Sequence, residues 1–127
     1  MPFLAALRFL TVIPLPGRHP TSGELAAALL WFPLVGLLLG SLTWVLDSAL
    51  LQLWPASVTS VLDLVLLALL TGGLHLDGLA DSADGLFHPG GTLRRLEIMR
   101  DSRVGSHGVA AVVLVVLTQY AALSAVG

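Results

Sequence analysis

The sequence predicts an all-α membrane protein, a polytopic helical bundle with about three spans of the bilayer. Three observations predict it. Hydrophobic residues make up 56% of the 127-residue chain and charged residues only 11%, whereas charged residues form about a quarter of an ordinary soluble domain. Leu25–Leu46 runs for 22 residues without a charge, enough to cross a hydrocarbon core about 30 Å thick. Nine of the fourteen Asp, Glu and Arg residues fall in one polar island between Asp77 and Arg103. At this length the chain is one membrane domain at most, residues 1–127, or part of a longer one. A net charge of −2 with no lysine offers no basic surface for nucleic acid. Without cysteine there is no disulfide, thiolate zinc site or thiol nucleophile.

Met1–Leu15 reads as a short amphipathic or interfacial segment, with Phe3, Leu4, Leu7, Phe9 and Leu10 around Arg8. It lacks the charged leader and small-residue cleavage site of a removable signal peptide. Pro14, Pro16, Gly17 and Pro20 then make a turn-rich linker, with His19 at the surface. Thr21 or Ser22 is placed to cap the first span, Leu25–Leu46. Trp31 and Trp44 lie towards its ends, where aromatic belts form, and Pro33 is a kink site. Gly36 and Gly40 make a GxxxG pattern that reads as a packing face.

A short connection, Asp47–Ser57, leads to a second span from about Ala56 to Leu74. This span contains Asp63, which is costly in lipid. About 21 Å of helix separates Asp63 from Asp77, so the two lie towards opposite faces of the membrane. Asp63 reads as interfacial or paired inside the bundle. Val109–Val126 is a third span.

The polar island opens with LHLDGLADSADGLFH, residues 74–88. Asp77, Asp81 and Asp84 are spaced i, i+4, i+7, within about 60° of one helix face. Leu76, Leu79, Ala83 and Leu86 line the opposite side. Gly78 and Gly85 flank the acidic stripe, where backbone can approach a ligand closely. Three like charges so arranged oppose the helix. A hard divalent cation, magnesium or calcium, relieves them. A solvated helix end at the membrane surface is the plainer alternative.

His88-Pro89-Gly90-Gly91 is a turn, after which Thr92 can cap a helix over Leu93–Asp101. Arg94, Glu97 and Asp101 share one face of it. Local ion pairs on a solvated helix are one reading. The other is a phosphate site, since Arg94, Arg95, Arg100 and Arg103 follow the three acids and arginine forks match phosphate. The loop from Ser102 to Gly108 has backbone amides able to cup an anion. His88 and His107 sit in loops, as candidates for a base or a phosphate donor; His75 points away from the acidic face. Arg8, Arg18 and the island arginines fall on the same side of two spans, and the connection between those spans has no Arg or Lys. The positive-inside rule makes that side cytoplasmic.

GGLHLDGLADSADGLF followed by RRLEIMRDSRVGSHGV closely resembles the signature region of the cobalamin synthase (cobalamin-5′-phosphate synthase) family, and FLTVIPLP and FPLVGLLLG resemble its opening. The likeness covers nearly the whole chain, which corresponds to the N-terminal half of longer members with further spans and a second signature region. Asp77, Asp81 and Asp84 match the acidic motif; Arg94, Glu97, Asp101, Ser102, Arg103 and Gly105 match the second. The resemblance implies a magnesium-dependent adenosylcobinamide-GDP ribazoletransferase of the cell inner membrane. Such an enzyme transfers adenosylcobinamide phosphate from adenosylcobinamide-GDP to α-ribazole or its 5′-phosphate and releases GMP. Asp77, Asp81 and Asp84 are then the catalytic, magnesium-holding acids, with Asp84 alternatively accepting the hydroxyl proton. Arg94, Arg100, Asp101, Ser102 and Arg103 bind substrate. The implied partners are the two substrates, membrane lipid, and a second copy or other cobalamin-assembly enzymes. Two rivals stand beside this reading. One is a cation-coupled carrier, in which acids line an ion path and Arg103 is dispensable. The other is a non-catalytic fragment that packs through GLLLG.

Overall fold

A computed structural model describes residues 1–16, 21–101 and 103–126. Gly17–Pro20 (with Arg18 and His19), Ser102 and Gly127 lie outside the described residues. Every regular element among the described residues is a helix, and the chain divides into two compact units, Met1–Gly72 and Gly73–Gly127.

In the first unit, α1 (Pro2–Leu10) opens with a proline at a position where its missing N–H costs nothing. Its apolar stripe packs inside the unit. Ala5, Ala6 and Leu10 are buried with Ala28 and Val35, and Phe3, Leu7, Phe32 and Leu39 close around them. Phe9 stacks on Phe32 with centroids 5.6 Å apart, and Phe3 meets Trp31 edge-on at 5.7 Å. Thr11 ends α1 in an extended conformation. The next residue, Val12, donates its N–H to Leu70 O at 2.8 Å, satisfying one of the carbonyls that a helix end leaves open.

α2 (Ser22–Ala28) begins at Thr21, which forms a full capping box with Glu24. A 3-10 turn, Leu29–Trp31, links it to α3 (Phe32–Leu50). Pro33 explains the tightening. It has no N–H to give to the carbonyl four residues back, and its ring crowds that carbonyl. The 29-residue stretch Ser22–Leu50 is nevertheless continuous and apolar enough to cross a membrane. The Gly36/Gly40 face is not packed among the described residues, since a Cβ at either position would meet nothing within 4 Å.

α4 (Ala56–Thr71) is shorter than the expected span. Gly72 and Gly73 are both left-handed (φ 61° and 72°) and stop it before Leu74. A Cβ on Gly72 would also lie 2.7 Å from Val12 Cγ1, so the site excludes any larger residue twice over. Asp63 is buried on α4 beside Asp47 of α3, inside the unit.

The second unit holds α5 (Leu74–Phe87), α6 (Thr92–Ile98) and α7 (Ser106–Val126). Both α6 and α7 pack on α5. Gly91, not Thr92, occupies the cap position of α6, and the helix ends at Ile98 rather than Asp101. α7 starts three residues earlier than the sequence suggests, because Gly105 O already accepts Val109 N–H at 3.1 Å. Gly108 is its one buried residue among those described. Helices this apolar and this uncovered belong to a membrane protein. Ser22–Leu50 and Ser106–Val126 qualify as spans, and the count reaches three if α4 and α5 together form one broken span.

Candidate functional site

The polar island folds around α5, and burial along that helix differs from the expected pattern. Ala80, Ala83, Asp84 and Gly85 are buried, while Leu86 is exposed. Of the three acids, Asp77 is exposed, Asp81 half-buried and Asp84 buried. The inward face therefore runs through Asp84, one edge of the acidic arc, rather than through the leucines alone. Gly85 is not a ligand-approach position. Met99 and the Arg95 carbonyl pack over it, which is how α6 seats on α5.

Asp84 is turned towards the start of α7. Its Oδ2 accepts the Gly105 N–H at 2.6 Å and its Oδ1 the Gly108 N–H at 2.8 Å, and the His107 amide adds to the same cluster. A helix start leaves its first amides without partners, and a side chain at the cap position normally takes one of them. Gly105 holds that position and has no side chain, so α5 lends one across the tertiary contact. The Gly105 and Gly108 amides, offered by the sequence as a cup for a ligand anion, hold an anion here. That anion is the protein's own carboxylate, favourably placed at the positive end of α7. The packing is close: a Cβ on Gly105 would sit 2.5 Å from Asp84 Oδ1, and one on Gly108 would sit 2.9 Å from the Ala80 carbonyl.

Beside this clamp lies a cavity of about 350 Å³, lined by Asp84, His88, Pro89, Ile98, Asp101, Arg103, Val104, Gly105, Ser106 and His107. It gathers Asp84, Asp101 and Arg103 from the residues that sequence motifs singled out. Asp77, Asp81, Arg94 and Arg100 are outside its lining. Asp81 is one turn before Asp84, about 4.5 Å of helix rise away, and Asp77 about 10.5 Å away. Among the described residues no three Asp, Glu, His or Cys side chains are grouped to hold a metal ion. Ser102, expected to bind substrate, is outside the described residues.

The arginines are differently employed. Arg94 pairs with Glu97 at 2.9 Å on an exposed surface, a contact worth little to the fold. Arg95 Nε donates to the His88 carbonyl at 3.1 Å, tying α6 to the turn. Arg103 grips Asp101 through Nε (3.1 Å) and Nη2 (2.7 Å), and its backbone N–H adds a third bond at 3.0 Å. One edge of that guanidinium is thus committed to Asp101. The Arg100 side chain has no partner among the described residues. The Arg103 hydrogen bonds, side chain first and backbone second, hold the Asp101 carboxyl well below its usual 3.8, at about 2. A depressed carboxyl keeps its ion pair above its ordinary value and loses it as the pH falls towards the lowered one. An NMR titration of the Asp101 carboxyl carbon is therefore expected to give a midpoint near 2 that Arg103→Ala moves back up; a midpoint at 3.8 in the unaltered protein would mean the pair does not form.

The histidines are better placed than their sequence context suggests. His88 Nδ1 accepts the Gly90 N–H at 3.0 Å. A backbone amide can only donate, so the uncharged ring carries its own proton on Nε2. His107 is not in a loop but in the first turn of α7, and its ring stacks on Phe87 with centroids 5.7 Å apart and planes 16° from parallel. Pro89, Ile98, Val104 and Ser106 complete the walls. All four lie in stretches already singled out, Pro89 in the turn and Ile98, Val104 and Ser106 in the second signature stretch, but none was given a role of its own.

Comparison with known proteins agrees with this architecture. The cobalamin-5-phosphate synthase family matches residues 2–127. The chain is 47% identical over 125 residues to an adenosylcobinamide-GDP ribazoletransferase of Geotalea daltonii, covering 98% of this chain and 51% of that protein. It is 50% identical over 126 residues to the protein of the same name in Pseudomonas putida (97% and 52%). The Acetivibrio thermocellus protein of that name is 43% identical over 124 residues (97% and 50%). The chain spans about half the length of these relatives. No solved structure matches it. With a family match over nearly its whole length, and the two signature stretches folded together about one cavity, the chain belongs to the cobalamin-5-phosphate synthase family.

Proposed function

We propose that the protein transfers adenosylcobinamide phosphate from adenosylcobinamide-GDP to α-ribazole or its 5′-phosphate, releasing GMP, at the cytoplasmic face of the inner membrane. The observation that carries this reading is the polar cavity at the start of α7, lined by residues between 84 and 107 of a chain that matches the family over residues 2–127. Its volume, about 350 Å³, is at the lower end of the range for ligand pockets. It suits the diphosphate end of the donor, or the acceptor, and not a whole nucleotide-charged corrinoid. The distribution of arginine, with none in the connection between α3 and α4, supports the cytoplasmic placement.

Phosphoryl transfer of this kind is mostly positioning and charge neutralisation. The uncommitted edge of Arg103 is the cation in the cavity for phosphate oxygens, and His88 Nε2–H is a donor lining the same cavity; Arg100, outside the lining, is a further candidate. Arg94, held by Glu97, is a weaker candidate. Magnesium fits a two-carboxylate arrangement better than the three expected. The Asp84 oxygens are engaged by amides, whereas the Asp77 and Asp81 side chains have no hydrogen bond or ion pair among the described residues. Those two sit i, i+4 on α5, neighbours on one face. Magnesium commonly takes only one or two protein carboxylates, with water and phosphate completing its shell. When bound there it would neutralise charge on the diphosphate.

Asp77→Asn and Asp81→Asn test this reading. In membranes holding the full-length protein, each is expected to lower product formation from adenosylcobinamide-GDP and α-ribazole by at least about a hundredfold. Insertion and thermal stability should stay at the unaltered level. Unchanged turnover in both would remove the metal-holding pair.

A further inference from the structure

A transfer to a hydroxyl needs somewhere for the hydroxyl proton to go. We propose, resting on the transferase reading, that His107 takes this proton and that Asp84 is the residue that positions it. Four titratable side chains besides arginine line the cavity: Asp84, His88, Asp101 and His107. Asp84 has an amide on each oxygen. Asp101 is wrapped by Arg103. His88 has its Nδ1 lone pair on the Gly90 amide, so its open nitrogen is a donor and not an acceptor. The His107 imidazole has no hydrogen bond among the described residues. The Phe87 stack fixes its plane from the ring face and leaves both nitrogens open.

The clamp explains why the ring is held there. Asp84 binds the amides on either side of His107, those of Gly105 and Gly108. It thereby sets the first turn of α7 and the direction of the side chain. Its carboxylate also lies within electrostatic reach of the ring. In the step itself the acceptor O–H proton passes to an imidazole nitrogen. The hydroxyl oxygen forms a bond to the phosphorus that carries the cobinamide. The bond from that phosphorus to the bridging oxygen breaks, and its electron pair leaves on GMP. The imidazolium then returns its proton to water.

The experiment uses the full-length protein in membrane vesicles, with adenosylcobinamide-GDP and α-ribazole. His107→Ala is expected to lower kcat by about a hundredfold or more, with KM for both substrates nearly unchanged. Added imidazole is expected to restore part of the rate in proportion to its concentration. A purely structural role for the ring would show no such rescue. His88→Gln, which keeps a donor near the Nε2 position, should show no dependence on imidazole. If His107→Ala fails to insert, His107→Gln carries the same test, since it keeps polarity without a basic nitrogen. Near-normal kcat in either variant, or a loss that imidazole leaves untouched, overturns the assignment. Absence of product from the unaltered protein would instead overturn the transferase reading itself.

Discussion

Gly108→Ala is expected to unseat α7 from α5. The added methyl would collide with the Asp84 carboxylate and come within 2.9 Å of the Ala80 carbonyl. Neither obstacle is the far end of a flexible chain. Ala80 is α5 backbone, and Asp84 is fixed by two short hydrogen bonds. Overpacking of a close contact costs about 1–3 kcal/mol, and here the capping bonds are lost with it. The check is the unfolding midpoint in detergent, together with protease sensitivity of the loop between α6 and α7. Gly78→Ala is the control. Its site has open space around the missing Cβ, and alanine is the better helix former by about 1 kcal/mol. A Gly108→Ala protein as stable as the Gly78→Ala protein would show that the α5–α7 contact is not packed as described.

Asp84→Asn is the second large effect, and it separates this acid from its two neighbours in sequence. The amide side chain has one acceptor oxygen where the carboxylate has two, and its NH2 group would face a backbone N–H that also donates. One orphaned amide at the start of α7, that of half-buried Gly105 or buried Gly108, is then left without its protein partner. Asp84→Asn is expected to lower stability and activity together, and Asp84→Ala to do so further. Asp77→Asn and Asp81→Asn should lower activity alone. Measuring unfolding and turnover on all three asparagine variants decides it. A stable, inactive Asp84→Asn protein would return Asp84 to the set of direct participants and undo its role as a clamp.

The sequence was legible where a residue's conformation depends on its neighbours along the chain. The cap at Thr21, the turn at His88–Gly91 and the apolar stretches are properties of local spacing. The break at Gly72–Gly73 was not legible: the second span was expected to reach Leu74, but both glycines are left-handed and the helix stops at Thr71. The i, i+4, i+7 spacing correctly put Asp77, Asp81 and Asp84 on one helix. It did not say which edge of their arc faces another helix, because that is decided by what packs on α5. In the same way four arginines looked alike in sequence. Glu97, the His88 carbonyl and Asp101 then occupied three of them.

What the sequence by itself determined is the solvent: long uncharged runs must be helical in lipid, since every backbone group there has to be satisfied within its own segment. It determined as well where the polar chemistry is concentrated, because charge is costly in lipid and nine of the fourteen charged residues fall in one island. Only the tertiary structure decided what each charge does. Gly105 and Gly108 present bare amides at the start of α7. An anion brought against them from α5 becomes part of the scaffold, and Asp84 is that anion because the α5–α7 contact brings it there.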